Sequence, residues 1–319
     1  MKKRNKKIIF FGTSDFAAVI LKALIKNGFN VVAVFTQPDK KIGRKQETIF
    51  SPVKKLAFGK KIKIFQPENL RNESLIGKIR EIGVDLIIVA AYGKILPKEI
   101  LKIPRYGSVN VHASLLPKYR GASPVQGAIL GGEKETGVTL MLMNEKMDKG
   151  DVLMQEKIQV GESETAKNLL GKLGRLGAKM LVGFVPDWIS GEIKPQPPDE
   201  TKATYCKPIG RKDGKINWSE PAEEIYRKHR AYQPWPGIFT SYDKNGRLFR
   251  LKLISISAEQ KASAGKKPGE VVKYGQDVGV QTGKGLILLK KIQLEGKKPM
   301  SINDFIRGNQ NFIGINLGG

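Results

Sequence analysis

The chain has 319 residues, 40% of them hydrophobic, enough to bury a sizeable core and form two domains, which excludes wholesale disorder. Its formal net charge of +26 favours a polyanionic partner, with RNA, DNA and anionic membrane all open on charge alone. A single cysteine, Cys206, excludes an internal disulfide and points to a reducing compartment; with only His112 and His229 beside it, a Cys/His zinc site is not expected.

Residues 1–7 are basic and precede an apolar run, but Asp15 interrupts that run too early for a secretion signal. No apolar stretch approaches the ~20 residues that cross a bilayer, so the sequence predicts a soluble, cytoplasmic protein without membrane contact. A strand is predicted at 8–11, then a turn with capping residues, a helix over 16–26 stopped by Asn27-Gly28, and a strand at 31–35. This β-α-β start predicts a parallel sheet. Only Gly12 stands in the first turn, so no Gly-x-Gly-x-x-Gly dinucleotide site is expected. Residues 36–55 read as a long basic loop, and loops of that length in compact domains are often functional. Further on come a weak strand at 62–65, a helix over 70–82 and a buried strand at 85–91 ending in Tyr92-Gly93-Lys94-Ile95-Leu96-Pro97.

The stretch 108–124 stands out. Read with a period of two, Val109 and Val111 fall on one side of a strand, Asn110 and His112 on the other. A buried sheet normally fills such positions with aliphatics. Pro117 ends the pairing, and Lys118 to Gly121 form a basic turn. The pattern predicts two polar donors at the mouth of a sheet. A helix at 125–130, strands at 136–143 and 152–160, and a helix over 165–190 follow; Gly171, Gly174 and Gly177 lower the last helix's propensity. The proline-rich stretch 191–207 reads as a linker. Beyond it lie one short helix at 221–230 and several short strands separated by Gly and Lys turns, which predict a small OB-like β-barrel.

Phe35-Thr36-Gln37-Pro38-Asp39, Ser51-Pro52-Val53-Lys54, the segments from Ala91 to Pro97 and from Asn110 to Gly121, Met147-Asp148-Lys149-Gly150-Asp151, and Pro234-Trp235-Pro236 occur in this order. Together they resemble the methionyl-tRNA formyltransferases, a folate-dependent formyltransferase family, over nearly the whole length. The resemblance implies an α/β, Rossmann-like catalytic domain at 1–190 that uses 10-formyltetrahydrofolate, a linker at 191–207, and an OB-like, tRNA-binding barrel at 208–319. It implies Asn110, His112 and Asp148 as the catalytic set, and Ser114, Leu115, Leu116 and Pro117 as folate contacts. Tyr92, Gly93, Ile95 and Leu96 would add an apolar slot with backbone partners for a flat pterin. Arg44 matches the family's tRNA-contacting arginine, with Lys40, Lys41 and Lys45 beside it in the same loop. Family members commonly carry Leu-Asp-Thr-Gly-Asp where this chain has Met147 to Asp151, so Lys149 places an unusual cation beside Asp148.

The expected reaction is acyl transfer to initiator methionyl-tRNA by a monomer without metal. Asn110 and His112 would donate to the oxygen of the tetrahedral intermediate. Asp148 would hold the imidazole and relay protons through water. Cys206 is a poor nucleophile candidate, and Trp235 between two prolines reads as packing. Two rivals remain on sequence alone: a formyltransferase for a small amine such as an amino sugar, and a non-catalytic RNA-binding protein.

Overall fold

The computed structural model describes residues 5–42, 47–261, 263 and 265–318, the side chains of 41 and 42 excepted. Contacts divide the chain into two units: Met1–Val125 with Lys134–Val160 and Asn168–Lys207, and Pro208–Gly319 with Gln126–Glu133 and Gly161–Lys167.

Unit 1 begins with β1 (Ile8–Gly12), α1 (Asp15–Lys26) and β2 (Val31–Phe35). The stretch read as one long loop is partly ordered: β3 (Lys40–Ile42) pairs with β4 (Glu47–Ile49), and α2 (Pro52–Gly59) follows. Ser51 starts α2, its Oγ accepting the Lys54 N–H at 3.0 Å, with Pro52 in the first turn. Both are favoured helix-start residues. Next come β5 (Lys63–Phe65), α3 (Glu73–Ile82), β6 (Leu86–Ala90), α4 (Lys98–Leu101), β7 (Ser108–His112), β8 (Arg120–Gly121) and α5 (Pro124–Leu130), whose residues from Gln126 on are counted with unit 2. The helix α3 starts later than its apolar period suggests, because Asn72 caps it by accepting from the Leu75 N–H. β9 (Glu135–Leu142), β10 (Val152–Gln159), α6 (Ala166–Ser190) and β11 (Tyr205–Cys206) complete the series.

The main sheet runs β10-β9-β7-β6-β1-β2-β5. Strands β5, β2, β1, β6 and β7 are parallel, whereas β9 and β10 are antiparallel. The chain leaves β1 toward β2 and β5, then returns to the other flank of β1 at β6. Such a reversal opens a crevice at the carboxyl ends of the strands, where ligands bind in open α/β sheets. One face is filled by Phe11, Phe35 and Phe65, stacked at 4.4 and 4.7 Å, with Tyr92 edge-on to Phe11 at 5.2 Å. On the other, α6 lies against β7: a Cβ on Gly177 would come within 2.8 Å of Val111 Cγ1. The glycines that weaken α6 as an isolated helix therefore include one that lets it seat on the sheet.

Residues 191–207, read as a linker, are instead fixed to unit 1. Gln196 exchanges backbone hydrogen bonds with Val152 at 2.8 and 2.9 Å, and β11 pairs in parallel with β8. Prolines in this segment still leave carbonyls and the intervening amides free to pair, which composition alone does not reveal.

Unit 2 contains α7 (Ala222–Ala231), β12 (Ile238–Lys244), β13 (Arg247–Glu259), β14 (Val271–Tyr274), β15 (Asp277–Gln281), β16 (Leu286–Leu294), β17 (Met300–Ser301) and α8 (Ile302–Arg307). Its sheet is antiparallel, ordered β12-β13-β16-β15-β14 with β17 on β16. Among the described residues the end strands β12 and β14 do not pair, so this is a curled half-barrel rather than a closed barrel. Tyr242, Phe305 and Phe312 pack edge-to-face at 5.0 to 6.0 Å, and Trp218 Nε1 donates to Thr240 Oγ1 at 3.0 Å. Trp235, expected to pack, is exposed. No helix among the described residues is long and apolar enough to cross a membrane.

Gly177→Val should destabilise the protein by about 1–3 kcal/mol through overpacking against Val111. Gly183→Ala, in the same helix with open space around it, should stabilise by roughly 0.5–1 kcal/mol. Urea midpoints test both, and equal effects would contradict the seating of α6.

A second expectation concerns His229, buried on α7, where the Gln233 side-chain amide lies 2.5 Å from Nε2. Burial and then the neighbouring Arg230 lower its pKa to about 4. The folded state thus holds the ring neutral while the unfolded chain protonates near 6.5. Stability is full above that value and is lost as pH falls toward 4, by about 3 kcal/mol. His229→Asn should flatten this part of the curve; a variant that loses as much stability as the wild type would contradict the assignment.

Candidate active site

Three turns meet at the carboxyl end of β7. Val89 of β6 lies opposite Asn110, so Asn110 and His112 continue a face that β6 fills with Ile87 and Val89. Val109 and Val111 are buried on the reverse side. The Asn110 side chain is partly exposed and not committed to a partner among the described residues. His112 is nearly buried, with Nε2 3.2 Å from the Tyr119 carbonyl and Nδ1 3.7 Å from Asp148 Oδ1. A carbonyl can only accept, so Nε2 carries the proton in this contact. The Nδ1 separation is too long for a hydrogen bond and within ion-pair range. A proton on Nδ1 would lie between ring and carboxylate.

Asp148 reaches His112 from the 144–150 turn, in left-handed backbone with φ of 52°. Its other oxygen accepts the Gly121 N–H at 2.8 Å. Gly121 has φ of 115°, and a Cβ there would fall 2.3 Å from the Cys206 carbonyl oxygen. Three of the five non-glycine residues with positive φ among those described, Ala91, Tyr119 and Asp148, belong to this end of the sheet. Backbone of this kind persists only where its surroundings enforce it, and it gathers at functional sites.

The turn after β7 is pinned from the antiparallel strands. Thr139 Oγ1 donates to the Ser114 carbonyl at 2.7 Å and accepts the Leu116 N–H at 3.0 Å. Gln155 Nε2 donates to the Leu116 carbonyl at 2.7 Å and to Thr139 Oγ1 at 2.8 Å. Ser114 and Leu116 are buried by these bonds, whereas Leu115 and Pro117 keep accessible edges. At the switch point Thr13 Oγ1 and Gln37 Nε2 both donate to the Tyr92 carbonyl, at 2.9 and 3.1 Å. The Tyr92 ring and Leu96 are in the core, while Ile95 is 67% exposed. Burial pushes the Tyr92 hydroxyl up to about 12. That hydroxyl and Ser14 Oγ are buried with no partner among the described residues. Ser14, the residue before α1, makes no side-chain cap.

Arg120 is 1% exposed and forms a two-pronged ion pair with Glu200, at 2.8 and 2.6 Å. The Arg120 fork holds the Glu200 carboxyl below the usual range. Lys149 Nζ lies 5.9 Å from the Tyr205 ring centroid. Cys206 Sγ is occupied with the Tyr119 and Arg120 carbonyls, and burial raises its pKa. Lys40 is exposed on β3; the Lys41 side chain, Arg44 and Lys45 lie outside the described residues.

The structure thus brings His112 and Asp148 together, with Asn110 two positions before His112 on the same face. Sequence reasoning missed Thr139, Gln155, Arg120 and Glu200. A fully buried threonine between Val138 and Leu140 was the available signal for the first. For Glu200 there was none, because it sits in the segment read as a linker.

Family models for "Formyl transferase" and "Formyl transferase, C-terminal domain" match residues 6–185 and 208–310. A methionyl-tRNA formyltransferase from Lachnospira eligens is 41% identical over 315 residues, covering 98% of this chain and 99% of its own. One from Caldicellulosiruptor saccharolyticus is 44% identical over 310 residues, covering 94% and 96%. Among solved structures, an N-formyltransferase from Helicobacter canadensis, in complex with folinic acid and dTDP-3-aminofucose, has a TM-score of 0.63 at 21% identity, over 89% of this chain and 98% of that one. HypX from Aquifex aeolicus, in complex with tetrahydrofolic acid, has a TM-score of 0.64 at 16% identity, over 97% of this chain and 48% of that one. These two show a shared fold; on the two family matches and the near-full-length relatives, the chain belongs to the formyl transferase family, in its methionyl-tRNA formyltransferase branch.

Proposed function

We propose that this chain transfers a formyl group from 10-formyltetrahydrofolate to the α-amine of initiator methionyl-tRNA in the cytoplasm, supplying N-formylmethionyl-tRNA for translation initiation. The observation that carries this reading is the 41–44% identity to methionyl-tRNA formyltransferases across nearly the full length of both chains.

The neutral amine attacks the formyl carbon, and the carbonyl oxygen becomes an oxyanion in the tetrahedral intermediate. The Asn110 amide, uncommitted on the β7 face, is suited to donate to that oxygen, while His112, with Nε2 on the Tyr119 carbonyl and Nδ1 facing Asp148, serves the proton transfer. Donors already in place as charge develops on the oxygen need no reorganisation, and in acyl transfer they stabilise the transition state more than any other single effect. The amine must shed a proton and the folate N10 must gain one as the C–N bond breaks. His112 and Asp148, 3.7 Å apart, form the pair through which that proton passes.

For the folate, the accessible edges of Ile95, Leu115 and Pro117 and the Gly93 backbone follow the carboxyl ends of β6 and β7. Tyr92 and Leu96 shape that ledge from within the core, and Ser114 and Leu116 fix its far side through Thr139 and Gln155. Buried hydroxyls in native proteins are almost always bonded, so the unpartnered Ser14 and Tyr92 hydroxyls suit a polar ligand at the crevice. For the tRNA, the positive charge of Lys40, Lys41, Arg44 and Lys45 suits a phosphate backbone.

Purified protein given 10-formyltetrahydrofolate and charged initiator tRNA should yield N-formylmethionyl-tRNA, and a dTDP-amino sugar should remain unformylated. The reverse preference would contradict the proposed acceptor. Asn110→Ala and His112→Ala should each lower kcat by roughly 10²–10³-fold with little change in KM. Unchanged turnover in both would refute the catalytic assignment.

A further inference from the structure

We infer that the Arg120–Glu200 ion pair is a positioning device that holds His112 and Asp148 at their working separation. This rests on the catalytic reading of those two residues. Arg120 touches neither, but the residues on either side of it do. The Tyr119 carbonyl accepts from His112 Nε2 at 3.2 Å, and the Gly121 N–H donates to Asp148 Oδ2 at 2.8 Å. One three-residue turn therefore sets both the imidazole and the carboxylate.

That turn cannot hold its own shape. Tyr119 has φ of 58°, a region a non-glycine residue rarely occupies, and Gly121 has φ of 115°, one of several shapes open to a free glycine. What holds them is the segment from Asp199 to Cys206. Thr204 Oγ1 accepts the Tyr119 N–H at 2.8 Å, and the Thr204 carbonyl accepts the Arg120 N–H at 2.9 Å. Tyr205 and Cys206 pair with Arg120 and Gly121. Asp199 caps the helical turn carrying Glu200 by accepting from Thr201 N at 3.1 Å and Thr201 Oγ1 at 2.6 Å.

The ion pair locks this segment onto the turn. A buried guanidinium needs a charged, geometrically matched partner, and Glu200 meets it with both oxygens. Tyr205 adds one weaker contact, its hydroxyl 3.4 Å from Nη1. Without the carboxylate, Arg120 would have to leave its site or draw in water, and the left-handed turn above it would relax. Glu200 is 56% exposed, so replacing it leaves the core intact. Misplacing reacting groups by about 1 Å is enough to lose on the order of 10²-fold in rate.

The test uses Glu200→Gln, which keeps shape but removes charge, and Arg120→Lys, which keeps charge but removes the fork. Each should lower kcat for formylation by roughly 10–100-fold while the KM values for methionyl-tRNA and folate stay within about twofold. The chain has only two histidines, so imidazole NMR reads the effect directly: His112 signals should move and His229 signals should not. In a His112→Ala background Glu200→Gln should cost nothing further. The proposal is overturned by folded variants with full kcat, by a raised KM at unchanged kcat, or by an undiminished loss in the His112→Ala background. Full turnover of His112→Ala alone would refute the catalytic reading of His112, and this inference with it.

Discussion

One hydrogen bond joins the two distant parts of the chain on which this site depends: the Gly121 N–H to the Asp148 carboxylate, at 2.8 Å. It is charge-assisted, and such bonds are about twice as strong as neutral ones. It also requires a glycine at 121, because β11 passes so close that the Cys206 oxygen occupies the place of any Cβ. Sheet, turn and returning segment therefore have to be assembled together before Asp148 can face His112.

The fold supplies this assembly economically. A parallel strand order that reverses beside β1 opens the crevice, and the antiparallel strand β9 then brings its threonine under the turn that follows β7. Thr139 and Gln155 satisfy the backbone of that turn and so fix the ledge beside His112. Rigid elements thus carry the groups proposed to react, and polar side chains from the antiparallel strands hold the turns between them.

What could be read in advance follows from which signals are local. The shared face of Asn110 and His112 is legible because strand periodicity is two and both side chains are polar where aliphatics belong. The parallel β-α-β start is legible for the same kind of reason. Asp148 was not: a carboxylate in an irregular turn carries no period, and only the family resemblance singled it out. The Arg120–Glu200 pair was invisible because its partners are 80 positions apart and one lies among prolines. The β3–β4 pairing and the open edge of the C-terminal sheet depend on tertiary contacts that strand propensity does not encode. Lys149, an apparent departure beside Asp148, turns out to face Tyr205.

The central claim is that the imidazole and the carboxylate act as one unit during formyl transfer. Single-turnover rates for His112→Ala, Asp148→Asn and the double variant test it most directly, since groups that work together lose their contributions together. The account predicts a double variant no slower than the slower single one, within about threefold. Losses that multiply across the two positions would show independent roles and contradict it.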